Sequence, residues 1–153
     1  MMRRREVAAL VLSASALVGI AAHEGYRALA YDDGVGVQTI GYGTTAGVKP
    51  GDKITPERAL IRLADDVDAY QVAMRRCVAV PLHQHEWDAY VSLAYNIGPG
   101  AFCGSTLVKR LNAGDYAAAC AEISRWNRAG GRVLPGLSKR RAAERARCEG
   151  KKP

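Results

Sequence analysis

The apolar and polar positions divide the chain into an uninterrupted apolar run, a short segment of strand character and a longer stretch of helical periods. Val7 to Ala22 consists of Ala, Val, Leu and Ile with Ser13, Ser15 and Gly19, and it carries no charge. Between Tyr31 and Val48, Gly, Thr, Val, Ile and Tyr recur in the manner of short strands joined by tight turns. Thr55-Pro56-Glu57 then predicts a helix start, with Thr as N-cap and Pro at the first helical position, and that helix runs to about Arg76. A second helix covers His83 to Tyr95 and stops at Asn96-Ile97-Gly98-Pro99-Gly100. Ser105 or Thr106 starts a third that Gly114 closes, and Asp115 caps a fourth that continues through Trp126. After a loop from Ala129 to Gly136, Ser138 begins a basic helix that reaches Cys148. Several helices around one small antiparallel sheet make an α+β fold. No linker or internal repeat divides the 153 residues, so one domain over residues 1–153 is expected.

The apolar run admits three readings. As a helix it would span about 24 Å, short of the ~30 Å hydrocarbon core, which makes it a marginal membrane anchor. Arg3-Arg4-Arg5 ahead of it would hold that end in the cytoplasm. Gly19-Ile20-Ala21 offers small residues for signal-peptide cleavage, and on length alone the run also suits a core helix. The first and last readings are compatible, because a weak anchor that leaves the bilayer can pack as a helix.

A net charge of +7 and a pI near 9.5 favour an anionic partner, which could be a nucleic acid, a membrane surface or an acidic wall polymer. The basic residues concentrate at Arg3-Arg4-Arg5 and between Lys139 and Lys152, and the second group reads as a solvated helix face. Export argues against a nucleic-acid partner, and no recognition motif stands out. Cys77, Cys103, Cys120 and Cys148 form no Cys-x-x-Cys pair, so an exported chain would use them in two disulfides, with three connectivities open.

Candidate chemistry lies just after the apolar run. Glycosidic cleavage needs a proton for the leaving oxygen and a carboxylate on the opposite face of the sugar. Glu24 and Asp33 lie nine positions apart across a turn, within a segment whose glycines at 34, 36, 41 and 43 let the backbone bend tightly. Thr39, six residues beyond Asp33, can hold a water through its hydroxyl. Spacing alone fits a solvated turn equally well. His23 beside Glu24 reads as a helix-end residue, and His83 and His85 lack a ligand constellation, so no metal is expected.

The order Glu24-Gly25, Asp33, Thr39-Ile40-Gly41-Tyr42-Gly43, Ala94-Tyr95-Asn96-Ile97-Gly98, Phe102, Ser105-Thr106-Leu107, Arg125-Trp126 and Gly136-Leu137 closely resembles the phage-type lysozymes, or endolysins, of glycoside hydrolase family 24. The signal-anchor-release subgroup is the nearest likeness. The resemblance covers nearly the whole chain. It implies hydrolysis of the β-1,4 bond between N-acetylmuramic acid and N-acetylglucosamine in peptidoglycan, with host-cell lysis as the outcome. Glu24 would be the general acid, kept protonated near neutral pH, and Asp33 the second carboxylate. Thr39 would help Asp33 place the attacking water, with inversion at the anomeric carbon. Tyr95, Asn96 and Ser105 match positions near the family's cleft, although Tyr95 and Trp126 fit a plain core equally well. The resemblance also implies Cys77–Cys103 and Cys120–Cys148 disulfides, a monomer without cofactor, and transient residence of residues 7–22 in the host inner membrane before release to the periplasm. Anchored there, Glu24 would sit too close to the hydrocarbon to join a folded cleft, so the anchored form would be inactive. No cysteine lies within Val7 to Ala22, so control by a cysteine in the anchor is excluded. The competing functions are a lytic transglycosylase, which needs one acid and no water, and a noncatalytic wall- or membrane-binding module, which needs neither acid.

Overall fold

The computed structural model describes residues 2–152. They form two compact units, one of Ala14–Ala69 and one of the chain up to Ser13 together with the chain from Tyr70 onward.

The first unit holds helix α1 (Ala14–Glu24), strands β1 (Arg27–Asp32) and β2 (Gln38–Gly41), and most of α2 (Pro56–Cys77). β1 and β2 pair antiparallel, with Tyr31 opposite Thr39 and Asp32 opposite Gln38, and the register shifts between Arg27 and Tyr31. Residues 52–54 flank the other side of β1, where Ala30 N–H donates to Asp52 O at 2.9 Å and Ile54 N–H to Ala28 O at 2.9 Å. Pro56 opens α2 after Thr55, whose hydroxyl accepts from Arg58 N–H at 3.3 Å, as the sequence predicts. Gly41 (φ +65°) lies so close to α2 that a Cβ there would stand 2.9 Å from the Ala59 Cβ, so β2 packs against α2 only with glycine at this position.

The second unit is helical: α3 (Gln84–Ile97), α4 (Pro99–Cys103), α5 (Thr106–Asn112), α6 (Tyr116–Glu122) and α7 (Pro135–Cys148). Trp87, Tyr90, Leu93, Phe102, Leu107 and Leu111 are its fully buried centre. The disulfides are Cys77–Cys103, joining the ends of α2 and α4, and Cys120–Cys148, joining α6 to the end of α7. Each bridge contributes about 2 to 4 kcal/mol by restricting the unfolded chain.

Four local features differ from the sequence expectations. Pro99 restarts a helix after the Gly98 stop, so α4 appears where a loop is expected. The fourth helix ends at Glu122 and tightens into a 3₁₀ turn, Ile123–Arg125. The loop from Ala129 to Gly136 contains a second two-stranded ribbon, β3 (Arg128–Ala129) with β4 (Arg132–Val133), so the described residues hold two small sheets where one is expected. α7 starts at Pro135 rather than Ser138, because proline at the first helical position has its φ set for a helix and needs no N–H acceptor.

The apolar run also departs from a single helix. Val7–Ala9 is a 3₁₀ turn, Leu10 is extended, and α1 begins only at Ala14. Polar side chains of the second unit, buried Gln71 and Asp88 among them, satisfy the backbone groups that this break exposes. Gln71 Oε1 accepts Leu12 N–H at 2.7 Å and also the Trp87 indole N–H at 3.0 Å. Asp88, 3% exposed, accepts Ser13 N–H at 2.9 Å and the Ser13 hydroxyl at 2.7 Å. Arg75 donates to Leu10 O at 2.8 Å, and Gln84 donates to Val11 O at 2.8 Å. Upstream, Arg5 forms a two-bond bridge with Leu82, while Arg4 pairs with Glu86 at 3.0 and 3.1 Å and lies 3.5 Å over the Tyr116 ring. The segment ahead of α1 is therefore held as a strap by hydrogen bonds to its backbone and side chains, those of Asp88, Arg75 and Arg4 being charge-assisted. Replacing Asp88 by Ala removes the acceptor of the Ser13 N–H, the Ser13 hydroxyl and the Gln84 side-chain amide, and urea unfolding is expected to show a loss of about 3 kcal/mol. A loss below about 0.5 kcal/mol would mean that these bonds do not hold the strap.

Candidate active site

Glu24, Asp33 and Thr39 all belong to the Ala14–Ala69 unit. Glu24 is the last residue of α1 and is half-buried. The helix closes through Gly25, whose N–H donates to Ala21 O at 3.0 Å and whose φ of +73° turns the chain into β1. Tyr26 fixes the entry to the strand by donating its hydroxyl to Ile54 O at 2.5 Å and packing 5.6 Å from the Tyr42 ring.

The loop between β1 and β2 is organised by two adjacent carboxylates. Asp32 Oδ1 accepts Gly34 N–H at 2.8 Å and Gly36 N–H at 3.1 Å. Asp33 Oδ1 accepts Val35 N–H at 3.0 Å and Val37 N–H at 3.2 Å, and its own N–H donates to Val37 O at 3.0 Å. These nested turns require positive φ at Gly34 (+95°) and Gly36 (+83°), which L side chains rarely adopt. One Asp33 oxygen is thus committed to the backbone, which holds that atom in place.

Thr39 stands opposite Tyr31 in the hairpin. It is 6% exposed, and its hydroxyl makes only a long 3.5 Å contact with Val37 O among the described residues. That contact is too weak to occupy the hydroxyl. Asp32 is a loop-organising residue that spacing alone does not pick out. The Asp-Asp-Gly sequence is its signal, since each Asp can accept from backbone N–H groups two residues on.

Tyr95, Asn96 and Ser105 lie in the helical unit. Tyr95 is half-buried, with its ring 5.0 Å from that of Tyr70. Ser105 is the N-cap of α5: its hydroxyl donates to Phe102 O at 2.6 Å and accepts Val108 N–H at 3.2 Å. Asn96 is exposed, and its Oδ1 accepts from Arg141 at 2.8 Å.

Arg141 belongs to a buried charge cluster that corrects the reading of the C-terminal basic group as a wholly solvated face. Arg140, Arg141 and Glu144 are 7%, 1% and 4% exposed. Glu144 pairs with Arg141 at 2.7 Å and with Arg140 at 3.5 Å, and it accepts the Ser92 hydroxyl at 2.6 Å. The carboxylate lets two guanidinium groups enter the core, which a helix read residue by residue does not reveal.

This α+β arrangement, with a short antiparallel hairpin carrying the acidic loop and a separate helical unit, is the architecture of lysozyme-type glycoside hydrolases. Residues 21–144 match the phage lysozyme family model. The chain is 44% identical over 142 residues to an endolysin of Acyrthosiphon pisum secondary endosymbiont phage 1, covering 90% of this chain and 97% of that one. It is 40% identical to the SAR-endolysin of Pseudomonas phage phiKMV, covering 88% of this chain and 86% of that one. Among solved structures, the endolysin from Escherichia coli O157:H7 phage FAHEc1 superposes with a TM-score of 0.84 at 38% identity, covering 95% and 98% of the two chains. The chain belongs to the phage lysozyme family, and it is a hydrolase of the lysozyme, or muramidase, type.

Burial raises the Glu144 carboxyl above its ordinary value of 4.5, outweighing Arg141, the Ser92 hydroxyl and Arg140, which lower it. The folded state therefore holds this proton more tightly than the unfolded chain. The associated stability is fully present below the unfolded value and is lost as pH rises through the folded one. In thermal melts, the deficit of Glu144→Gln relative to wild type is expected to shrink as pH rises from 4.5 through that window. A deficit that grows over the same range would show that the arginine pairs dominate instead.

Proposed function

We propose that this chain is an endolysin that hydrolyses the β-1,4 bond between N-acetylmuramic acid and N-acetylglucosamine in peptidoglycan. Glu24 donates its proton to the leaving glycosidic oxygen as the bond to the anomeric carbon breaks. A water attacks the opposite face of that carbon, and Asp33 takes the water's proton while Thr39 helps to hold the water. Asp33, fixed through Oδ1 by two backbone N–H groups, is the observation that carries this reading, because its other oxygen remains to receive a proton. Tyr95 and Asn96 are proposed as substrate contacts, with Arg141 orienting the Asn96 amide and Ser105 shaping the start of α5.

The acid–water–base assignment favours hydrolysis over a transglycosylase, which needs no second carboxylate, and over a noncatalytic wall-binding role. Turbidity loss of purified peptidoglycan is expected to fall by about a thousandfold in Glu24→Gln, the scale of a lost general acid. Wild-type products are expected to carry an ordinary reducing end. Anhydro products, each one water lighter, or full activity in Glu24→Gln, would refute the assignment.

In this proposal residues 7–22 lie first in the host inner membrane and then fold into the enzyme, which acts as a periplasmic monomer. Among the described residues no helix is long and apolar enough to cross a membrane, so the spanning state must be a different conformation of this segment. Two observations support a second environment: Val11 and Val18 are 63% and 58% exposed, and the segment's break is closed by polar partners from outside it. Anchoring would withhold Glu24 from its place at the end of α1, which makes the anchored form inactive. Ala14 is exposed and a Cβ at Gly19 meets nothing within 4 Å, so Ala14→Leu with Gly19→Leu raises the hydropathy of the anchor without disturbing the folded form. Cells producing this variant are expected to lyse late or not at all, while the detergent-extracted protein cleaves peptidoglycan normally. Lysis on the wild-type schedule would contradict control by the anchor.

A further inference from the structure

The Ala14–Ala69 unit carries a recess of about 360 Å³ lined by Lys53, Ile54, Arg58, Ile61 and Arg62. Three of these residues are cations, no carboxylate lines the recess, and none of the three forms an ion pair among the described residues. Two acids nearby in the sequence are engaged elsewhere: Asp52 accepts Lys49 N–H at 2.8 Å, and Asp66 accepts the Thr44 hydroxyl at 2.6 Å. Glu57 and Asp65 are exposed and pair with none of these cations. Arg62 donates to Ala46 O at 2.5 Å, which holds its guanidinium without neutralising it. Arg58, Ile61 and Arg62 stand at helical spacings of three and four, so they share one face of α2. That face is apolar as well as basic. Ile61 is 64% exposed, and Leu29, which stands opposite Lys53 where β1 meets residues 52–54, is 55% exposed. Opposed residues of an antiparallel pair project from the same face, so Leu29 lies beside Lys53. A soluble polyanion would meet the cations and leave both aliphatic side chains in water, and an apolar peptide would cover the aliphatic side chains and strand the cations. A bilayer of anionic phospholipid serves both, with phosphates at the recess and Ile61 and Leu29 in the boundary between headgroups and acyl chains.

We infer that this face docks on the surface of an anionic phospholipid bilayer, a contact distinct from residues 7–22 and from Glu24, Asp33 and Thr39. The inference does not rest on the muramidase reading, and its test involves no cleavage. The folded full-length protein is sedimented with vesicles of phosphatidylcholine alone, with vesicles of phosphatidylcholine and phosphatidylglycerol, and with beads carrying polyglutamate. The fraction that high salt releases is read, which leaves aside any attachment through the apolar segment. Lys53→Gln combined with Arg58→Gln is expected to lower binding to the phosphatidylglycerol vesicles by about 25-fold, or about fivefold for each cation. Ile61→Gln is expected to lower it by about fivefold on these vesicles and to leave binding to polyglutamate unchanged. Arg76→Gln combined with Lys139→Gln removes the same charge at exposed positions of the other unit. That pair controls for the general attraction of a basic protein to an anionic surface and is expected to cost less than about twofold. The inference fails if the wild-type chain binds the two kinds of vesicle equally or binds neither, or if the control pair loses as much as the Lys53 and Arg58 pair. It also fails if Ile61→Gln keeps full binding to the vesicles or loses equally on polyglutamate, since either result would assign the face to a soluble polyanion.

Discussion

Two backbone N–H groups that converge on one oxygen of Asp33 fix the geometry on which the candidate active site depends. They close the loop between β1 and β2, and Asp32 reinforces it by the same means two atoms of chain away. With the loop closed, the register of the hairpin is set: Thr39 faces Tyr31, and Gly41 passes against Ala59 of α2 where no side chain would fit. A carboxylate held in this manner keeps one oxygen in a constant direction without relying on a side-chain partner. In the proposed reaction that constancy places a water against one face of the sugar, and it explains why the catalytic loop can be rich in glycine without being indefinite in shape.

The helical unit solves a different problem with similar means. An apolar segment that breaks between a 3₁₀ turn and α1 exposes backbone groups that an apolar core cannot satisfy. Gln71, Arg75, Gln84 and Asp88 meet them, and Arg4 and Arg5 fasten the chain further upstream. Gln71 and Asp88 are buried, and each also serves a partner within the helical unit: Gln71 the Trp87 indole and Asp88 the Gln84 amide. A segment able to leave a membrane and then remain with the enzyme needs such partners, because its own hydropathy is compatible with either location. In the proposed cycle, fastening the strap also fixes Ser13, the residue from which α1 runs toward Glu24.

Much of this was legible in the sequence where one residue settles one local choice. Thr55-Pro56 marks the start of α2, Asp115 caps α6, and the glycines around Asp33 permit a tight loop. Resemblance rather than spacing singled out Glu24 among the acids of the chain. What escaped depends on partners distant in sequence. The break after Leu10 is invisible without Asp88, some 75 positions away, and the burial of Arg141 is invisible without Glu144 and Ser92. A basic helix looks solvated until a buried carboxylate is found to receive it. The β3–β4 ribbon is too short to carry a hydrophobic alternation, so only its glycine turn could have announced it.

In the proposed reaction, a water held by Asp33 attacks the sugar from the face opposite the leaving group. The anomeric proton of the newly formed reducing end, read by NMR before mutarotation on a soluble peptidoglycan oligomer, tests it most directly. The α anomer, the inverted configuration, is expected to appear first. A β anomer at the earliest times would require a covalent glycosyl-enzyme or a same-face attack, and it would contradict the role given to Asp33.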